Sequence, residues 1–229
     1  RQNGNRYQRG CYLKTRGGRM VEENDLKLWK DAGHVARRTL ENIKDEIKPG
    51  VSWNEVIEKA ERYIVRHGGK RAFPATIAVN DVAAHFTSDH KDTALQGWEE
   101  KMVFQKGDLV KLDVGVQIQG RIGDNALTLE VGNGGNRTDQ IRASRESRDS
   151  AIEQMHPGTP WYKVGEAAEQ PVVDAGFASI KNLCGHKLDV GELHAGVSVP
   201  SYRCGQEHIG FQGQVEKGGF YAIEPFNTT

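Results

Sequence analysis

No run of apolar residues in this 229-residue chain approaches the roughly 18 that a membrane-spanning helix needs. There is also no stretch with a charged start and an apolar core, the mark of a secretory leader. Cysteine is scarce: Cys11, Cys184 and Cys204 are the whole complement, an odd number with no close spacing. That argues against a disulfide framework and a thiolate metal cluster, and sets the expectation of a reducing, cytoplasmic setting. Net charge is missing too, since 31 Lys and Arg balance 31 Asp and Glu. No global field draws the chain to DNA, and no membrane partner is expected. The composition is that of a globular protein, long enough for one large domain or two small ones.

Charge is uneven only at the start. Residues 1–19 carry Arg1, Arg6, Arg9, Lys14, Arg16 and Arg19 and no acid. This basic arm reads as an RNA-touching segment, as a disordered tail, or as a leader upstream of a start at Met20. The domain proper is expected over 20–229.

Helical periodicity follows. Leu28/Trp29, Ala32, Val35/Ala36, Leu40, Ile43 and Ile47 form one stripe. Pro49-Gly50 stops it, and Ser52-Trp53-Asn54-Glu55 reads as a capping box opening a second helix with Val56, Ile57, Ala60 and Ile64 inside. Residues 72–79 read as a strand, with Pro74 pointing to an edge or a strand end. After a Gly/Asn linker over 132–137, Thr138 is the expected N-cap of a third helix with Ile141, Ala151, Ile152 and Met155. Thr159-Pro160 is expected to cap and start a fourth, which Pro171 would kink or end.

The order repeats, and so do the residues. PGVSWNEVIEKAE at 49–61 matches PGTPWYKVGEAAE at 157–169 with an offset of 108, and KGDLVKLD at 106–113 matches KGGFYAIE at 217–224 with an offset of 111. A period near 110 is too long for a solenoid. It predicts two halves, about 22–131 and about 138–229, packed about a pseudo-twofold axis.

The richest stretch is Lys106 to Val131. It reads as a hairpin turning at Gln119-Gly120, with Asp113 opposite Ala126 and Asp124 two places along on the same face. Two like charges among apolar neighbours need a cation, a proton or water. A metal site and a wet sheet edge without ligand both stand at this point. The repeat adds Glu224 at the place of Asp113. Its counterpart for Asp124 falls near position 235, so the chain reads as a fragment cut at both ends. His186 and His194 flank CGHKLDVGELHAG, and His85 lies in the first half. A set of Asp113, Asp124, His186 and Glu224 is mostly oxygen with one imidazole, suited to Mn(II), Fe(II), Co(II) or Zn(II). His85 and His194 could hydrogen-bond a substrate or relay protons. His34, His67, His90, His156 and His208 read as surface or helix residues.

Four stretches in order, FPATIAVNDVAAHFTS, KLDVGVQIQGRIGDNALT, CGHKLDVGELHAGVSVP and FYAIEPFNTT, resemble the type II methionine aminopeptidases, the archaeal and eukaryotic class. The resemblance covers roughly Glu22 to Thr229. It implies the α+β pita-bread fold, duplicated helix-helix-strand halves with pseudo-twofold symmetry. It also implies removal of the initiator methionine from nascent chains by a centre of two divalent ions (Co, Mn, Fe or Zn). In that reading Asp124 bridges the ions, Asp113 chelates one, and His186 and Glu224 hold the other. His85 and His194 contact substrate, and Phe73 and Pro74 fall with His85 at the methionine pocket. A fifth ligand, a glutamate, lies past Thr229, so the chain alone is expected to be weakly active or inactive. Asn125 stands where the family has Thr. The implied partners are peptide N-termini, with the ribosome a further candidate, and the implied state is a monomer. Two other readings stand beside it: a proline-specific relative, disfavoured by GHKLDVGELHAG, and a non-catalytic relative binding ribosome or RNA, disfavoured by the intact ligand positions.

Overall fold

A computed structural model of the chain describes residues 23–87, 102–132, 134–206 and 208–229. The basic arm at 1–19, Cys11 and His90 lie outside the described residues.

The apolar stripe dictates the first helix, α1 (Glu23–Ile43), which buries Trp29, Ala32, Ala36, Leu40 and Ile43. The helix tightens into a 3-10 turn at Lys44–Glu46, after which Ile47 is still buried. Helix α2 (Trp53–Arg66) buries Val56, Ile57, Ala60 and Ile64. Its N-cap is Ser52, as the sequence predicts, but the serine side chain makes no capping bond. Glu55 instead reaches forward to Lys59 at 2.8 Å. Strands β1 (Lys70–Val79), β2 (Leu109–Ile118) and β3 (Arg121–Glu130) form one antiparallel sheet in that order.

Pro74 sits on β1, an edge strand of this sheet, where the register slips between Phe73 and Thr76. A residue without an N–H is tolerated there because it has no ladder bond to give. The β2–β3 hairpin closes through Gln119 (φ 49°) and Gly120 (φ 84°). Positive φ at both is the tight turn whose twist matches a two-residue hairpin. It fixes Asp113 opposite Ala126 and Asp124 opposite Gly115.

The second half follows the same plan. Helices α3 (Thr138–Glu153) and α4 (Trp161–Asp174) lead to β4 (Ala178–Ser179), β5 (Gly185–Leu188), β6 (Ser198–Val199), β7 (Phe220–Ala222) and β8 (Asn227–Thr228). β5 lies between β6 and β7, and β4 pairs with β8. Four local expectations meet a different outcome here. The N-cap of α3 is Arg137, not Thr138, whose hydroxyl bonds Gly135 O instead. The N-cap of α4 is Pro160, with no side-chain capping by Thr159. Of the two outcomes expected at Pro171, a kink or an end, the end does not occur: the helix runs on to Asp174 and its last bonds close on Pro171 O and Val173 O. Ile152, expected inside α3, is half exposed, and the helix buries Gln140, Ala143, Ser147 and Ala151 instead.

The repeat extends to individual hydrogen bonds. Gly50 N donates to Phe104 O, and Gly158 N to Val215 O, both at 2.8 Å. The bridge Ser52–Val103 has its counterpart in Pro160–Gln214. Gly69 N closes on Ile64 O as Phe177 N closes on Val172 O. Each pair keeps the offsets of the sequence repeat. Two cores result, one around Val56, Ile64, Phe104 and Leu112, the other around Trp161, Val164, Ala168 and Val215. A third cluster of Trp29, Ile122 and Leu188 joins the halves, where Trp29 of α1 stacks on Phe220 of β7 at 4.1 Å.

Candidate metal centre

Asp113 and Asp124 face the same way because strand side chains alternate and their register differs by two. Between them on that face is Gly115. A Cβ there would lie 2.3 Å from the Phe73 ring, so the missing side chain makes room for that ring beside both aspartates. The second half supplies the other wall. His186 on β5 pairs with Ala222 on β7, and Glu224 follows two residues later.

The outcome is a cluster of Asp124, His186 and Glu224 whose ligating atoms all lie within 4.8 Å of one another. His186 Nε2 is 2.9 Å from Glu224 Oε1 and 3.3 Å from Asp124 Oδ2. The first contact is close but not aligned as a hydrogen bond: Glu224 Oε1, like Asp113 Oδ1, is buried without a partner. Burial raises the Asp113 carboxyl to about 8, and repulsion from Asp124 and Glu224 adds to it. Burial alone would lower His186, but the flanking Asp124 and Glu224 outweigh it and lift the imidazole to about 10. These are the signs of negative charge packed tighter than water or protons satisfy. A divalent cation answers all of them, so the residues present fit one.

Two further histidines border the cluster. The His194 ring lies 4.3 Å from that of His186, edge to face. Its loop is pinned by Ala195 N to Lys187 O and Lys187 N to Val197 O, each 2.8 Å. Partial desolvation and the His186 charge lower His194, and the His85 charge pushes the same way, against the pull of Glu224 and Asp124. His85 is exposed and held in a left-handed backbone (φ 62°). Such strain persists only where the surroundings impose it. Here the next residue does so: Phe86 O accepts from Ile77 N at 2.8 Å, and the Phe86 ring meets Trp53 edge-on at 5.9 Å. Thr87 adds a bond to Ala75 O. The sequence alone did not single out Trp53, Phe86 or Gly115 for the site. Pro74 is exposed on the same strand as Phe73. His34, His67, His156 and His208 are exposed away from the cluster, as expected.

A profile of metallopeptidase family M24 matches residues 27–228. The chain belongs to metallopeptidase family M24. Its M24 relatives include the methionine aminopeptidase of Pyrococcus horikoshii, 39% identical over 206 residues, which are 90% of this chain and 65% of that protein. A second, from Methanothermus fervidus, is 31% identical over 194 residues, 80% of this chain and 99% of that protein. Among solved M24 structures, the methionine aminopeptidase of Thermotoga maritima aligns with a TM-score of 0.77 at 27% identity, covering 90% of this chain and 80% of that one. The pita-bread M24 fold expected from the sequence is therefore the fold observed. The chain spans 62–65% of the length of the first curated relatives it matches. No helix among the described residues is long and apolar enough to cross a membrane.

Proposed function

We propose that this M24 chain carries the catalytic core of a methionine aminopeptidase, removing the initiator methionine from nascent proteins. The observation that carries the reading is the cluster of Asp124, His186 and Glu224, drawn from both halves, with Asp113 close enough to feel the charge of all three and with a buried oxygen of Asp113 and of Glu224 left without a hydrogen bond. These four would hold two divalent ions (Co, Mn, Fe or Zn). When bound, such ions polarise a peptide carbonyl and acidify water at neutral pH.

The chain's own residues do the rest. Three carboxylates supply the negative charge that fixes the ions, and His186 adds a neutral nitrogen once its proton is displaced. His194, whose imidazole is shifted toward the neutral form by desolvation and by His186 beside it, can donate to or accept from the scissile peptide. His85 presents its imidazole from the opposite half to orient the substrate backbone. Phe73, placed by Gly115, forms an apolar wall beside the aspartates, with Pro74 next to it, and this suits an unbranched thioether side chain. The substrate in this reading is the free N-terminus of a peptide. A monomer in the cytoplasm, with the ribosome as docking partner, completes the proposal. The non-catalytic alternative expects lost ligands, whereas all four positions are filled.

The test is titration of Mn(II) or Co(II) into the metal-free chain by calorimetry, followed by hydrolysis of Met-Gly-type peptides. Binding that disappears in both Asp124→Ala and His186→Ala supports the assignment. Tight binding retained in both variants overturns it.

A further inference from the structure

Strand β1 does not run evenly past β2. From Arg71 to Phe73 it advances two residues while β2 advances one, from Val116 to Gly115. From Phe73 to Thr76 it advances three while β2 advances two, to Asp113. Two bulges therefore bracket Phe73, and a bulge bends its strand and re-aims a side chain. The aim is close: the Phe73 ring occupies the space that a Cβ on Gly115 would take, and Gly115 stands opposite Asp124. Pro74, the next residue, brings no N–H with which to fix this segment.

The fixing group comes from another element. Ala75 is 1% exposed, and its N–H donates to Glu61 Oε1 of α2 at 3.3 Å. The other oxygen, Oε2, accepts from Arg71 Nη1 at 2.6 Å. One carboxylate thus spans both bulges and grips the strand on either side of Phe73. The Glu61 side chain is 20% exposed and that of Arg71 53%, so the ion pair is the wet end of the clamp and the amide bond the sheltered one. The carbonyl of Ala75 is taken by Thr87 Oγ at 3.0 Å, two residues after His85. The repeat places Glu169 at the same point of α4, where its Oε2 accepts from the Arg203 amide at 3.1 Å. Each half uses this glutamate to hold a backbone N–H outside its own helix. Of the two, Glu61 holds the strand whose phenylalanine lies beside the aspartates.

We propose that Glu61 is a positioning residue: by clamping the two bulges of β1 it seats the Phe73 ring over Gly115, and so fixes the width of the apolar pocket that receives the N-terminal side chain. Its bonds go to Ala75 and Arg71, so it acts through the strand and not on the substrate. The pocket rests on the methionine aminopeptidase reading; the seating of the ring does not. Without the carboxylate the Ala75 amide is buried and unpaired, a costly state. The segment around Pro74 then shifts to bring that amide to water, and Phe73 moves with it.

The test is NMR of the metal-free full chain, reading the α-protons of Gly115. A ring seated over them shifts them upfield, and Phe73→Leu identifies the signal by abolishing the shift. Glu61→Ala is expected to lose most of it. Glu61→Asp, which keeps the charge but stops short of Ala75, is the milder variant and should lose part of it. Glu61→Gln, whose amide oxygen still accepts from Ala75, should keep it, and Arg71→Met should as well. Glu169→Ala, which removes the matching bond from the second half, should leave it unmoved. A wild-type chain without the upfield shift, a shift kept in full by Glu61→Asp or by folded Glu61→Ala, or one lost equally in Glu169→Ala overturns the proposal. A second arm uses the Mn(II)-loaded chain. There Glu61→Ala should reduce the preference for a methionyl over a leucyl peptide about tenfold, through KM and not kcat, with Glu61→Gln restoring it. A fall in kcat alone overturns the pocket role. If the wild-type chain cleaves neither peptide, the peptidase reading fails, and the Gly115 signal still decides whether Glu61 seats the ring.

Discussion

The two halves place a tryptophan at the same point of the same helix, and the two residues live differently. Trp161 is buried to 1% exposure and meets Tyr221 of β7 at 5.2 Å. Trp53 is only partly buried, its Nε1 lacks a partner, and it meets Phe86 of the loop that carries His85. Through these contacts each tryptophan backs one approach to the Asp124–His186–Glu224 cluster. Trp161 supports the strand leading to Glu224, and Trp53 supports the turn holding His85. Duplication kept the anchor point, and divergence changed what is anchored: the strand leading to Glu224 in one half, the turn carrying His85 in the other.

The largest effect that could break this comparison is on the ligands themselves. Asp113→Ala and Glu224→Ala occupy equivalent positions, and each is expected to abolish tight Mn(II) binding in calorimetry. Loss in only one would show that the halves do not share the centre. Next is the core. Trp161→Ala should cost about 3–5 kcal/mol in urea unfolding, as deletion of a buried tryptophan does. Trp53→Ala should cost clearly less, while raising KM for a methionyl peptide through the slackened His85 turn. Equal stability losses would erase the distinction between the two anchors.

A third prediction concerns pH. Without metal, Asp113 is raised from 3.8 to about 8 in the fold, so the native state binds its proton more tightly than the unfolded chain. That contribution is complete below pH 4 and is lost as pH rises toward 8. His186, raised to about 10, acts in the same sense from its ordinary value upward. The urea midpoint of the metal-free chain should therefore fall between pH 6 and 8, and saturating metal should remove most of the fall. A midpoint that rises over that range in the metal-free chain would contradict the crowding seen in the cluster. The smallest effect is in α4. Pro171 stands where the first half has Tyr63, and it removes one helix bond, so Pro171→Ala should raise the urea midpoint by an amount worth about 1 kcal/mol or more.

Much of this was legible in the residues because it rests on short-range rules. The hairpin register followed from period-2 alternation and a two-residue turn, and it delivered the Asp113 and Asp124 face. The repeat delivered Glu224. The failures have a common cause, which is that tertiary packing overrides local signals. Thr138 has the right side chain for a cap, but Glu130 takes over the amides before it. Ile152 has the right hydrophobicity, but α3 turns a stripe of small residues, Ala143, Ser147 and Ala151, toward α4. Pro171 has the wrong backbone chemistry, yet α4 is held by the burial of Val164, Ala168 and Val172 around it.

The tip of the first hairpin has a consequence for dissecting the molecule. Gly191 N donates to Gly120 O at 2.7 Å, and a side chain at 120 would strike Val190. The turn is thus a clasp between halves, closing on the loop that separates His186 from His194. The described bonds of the connector around 132–137 run instead to Glu130, within the first half. Cutting the chain there would yield two fragments, each with its own core, one carrying Asp113 and Asp124 and the other His186 and Glu224, and the clasp would supply the geometry for their reassembly. Metal binding would then serve as the reporter of complementation, silent in either piece and restored only when the pair meets.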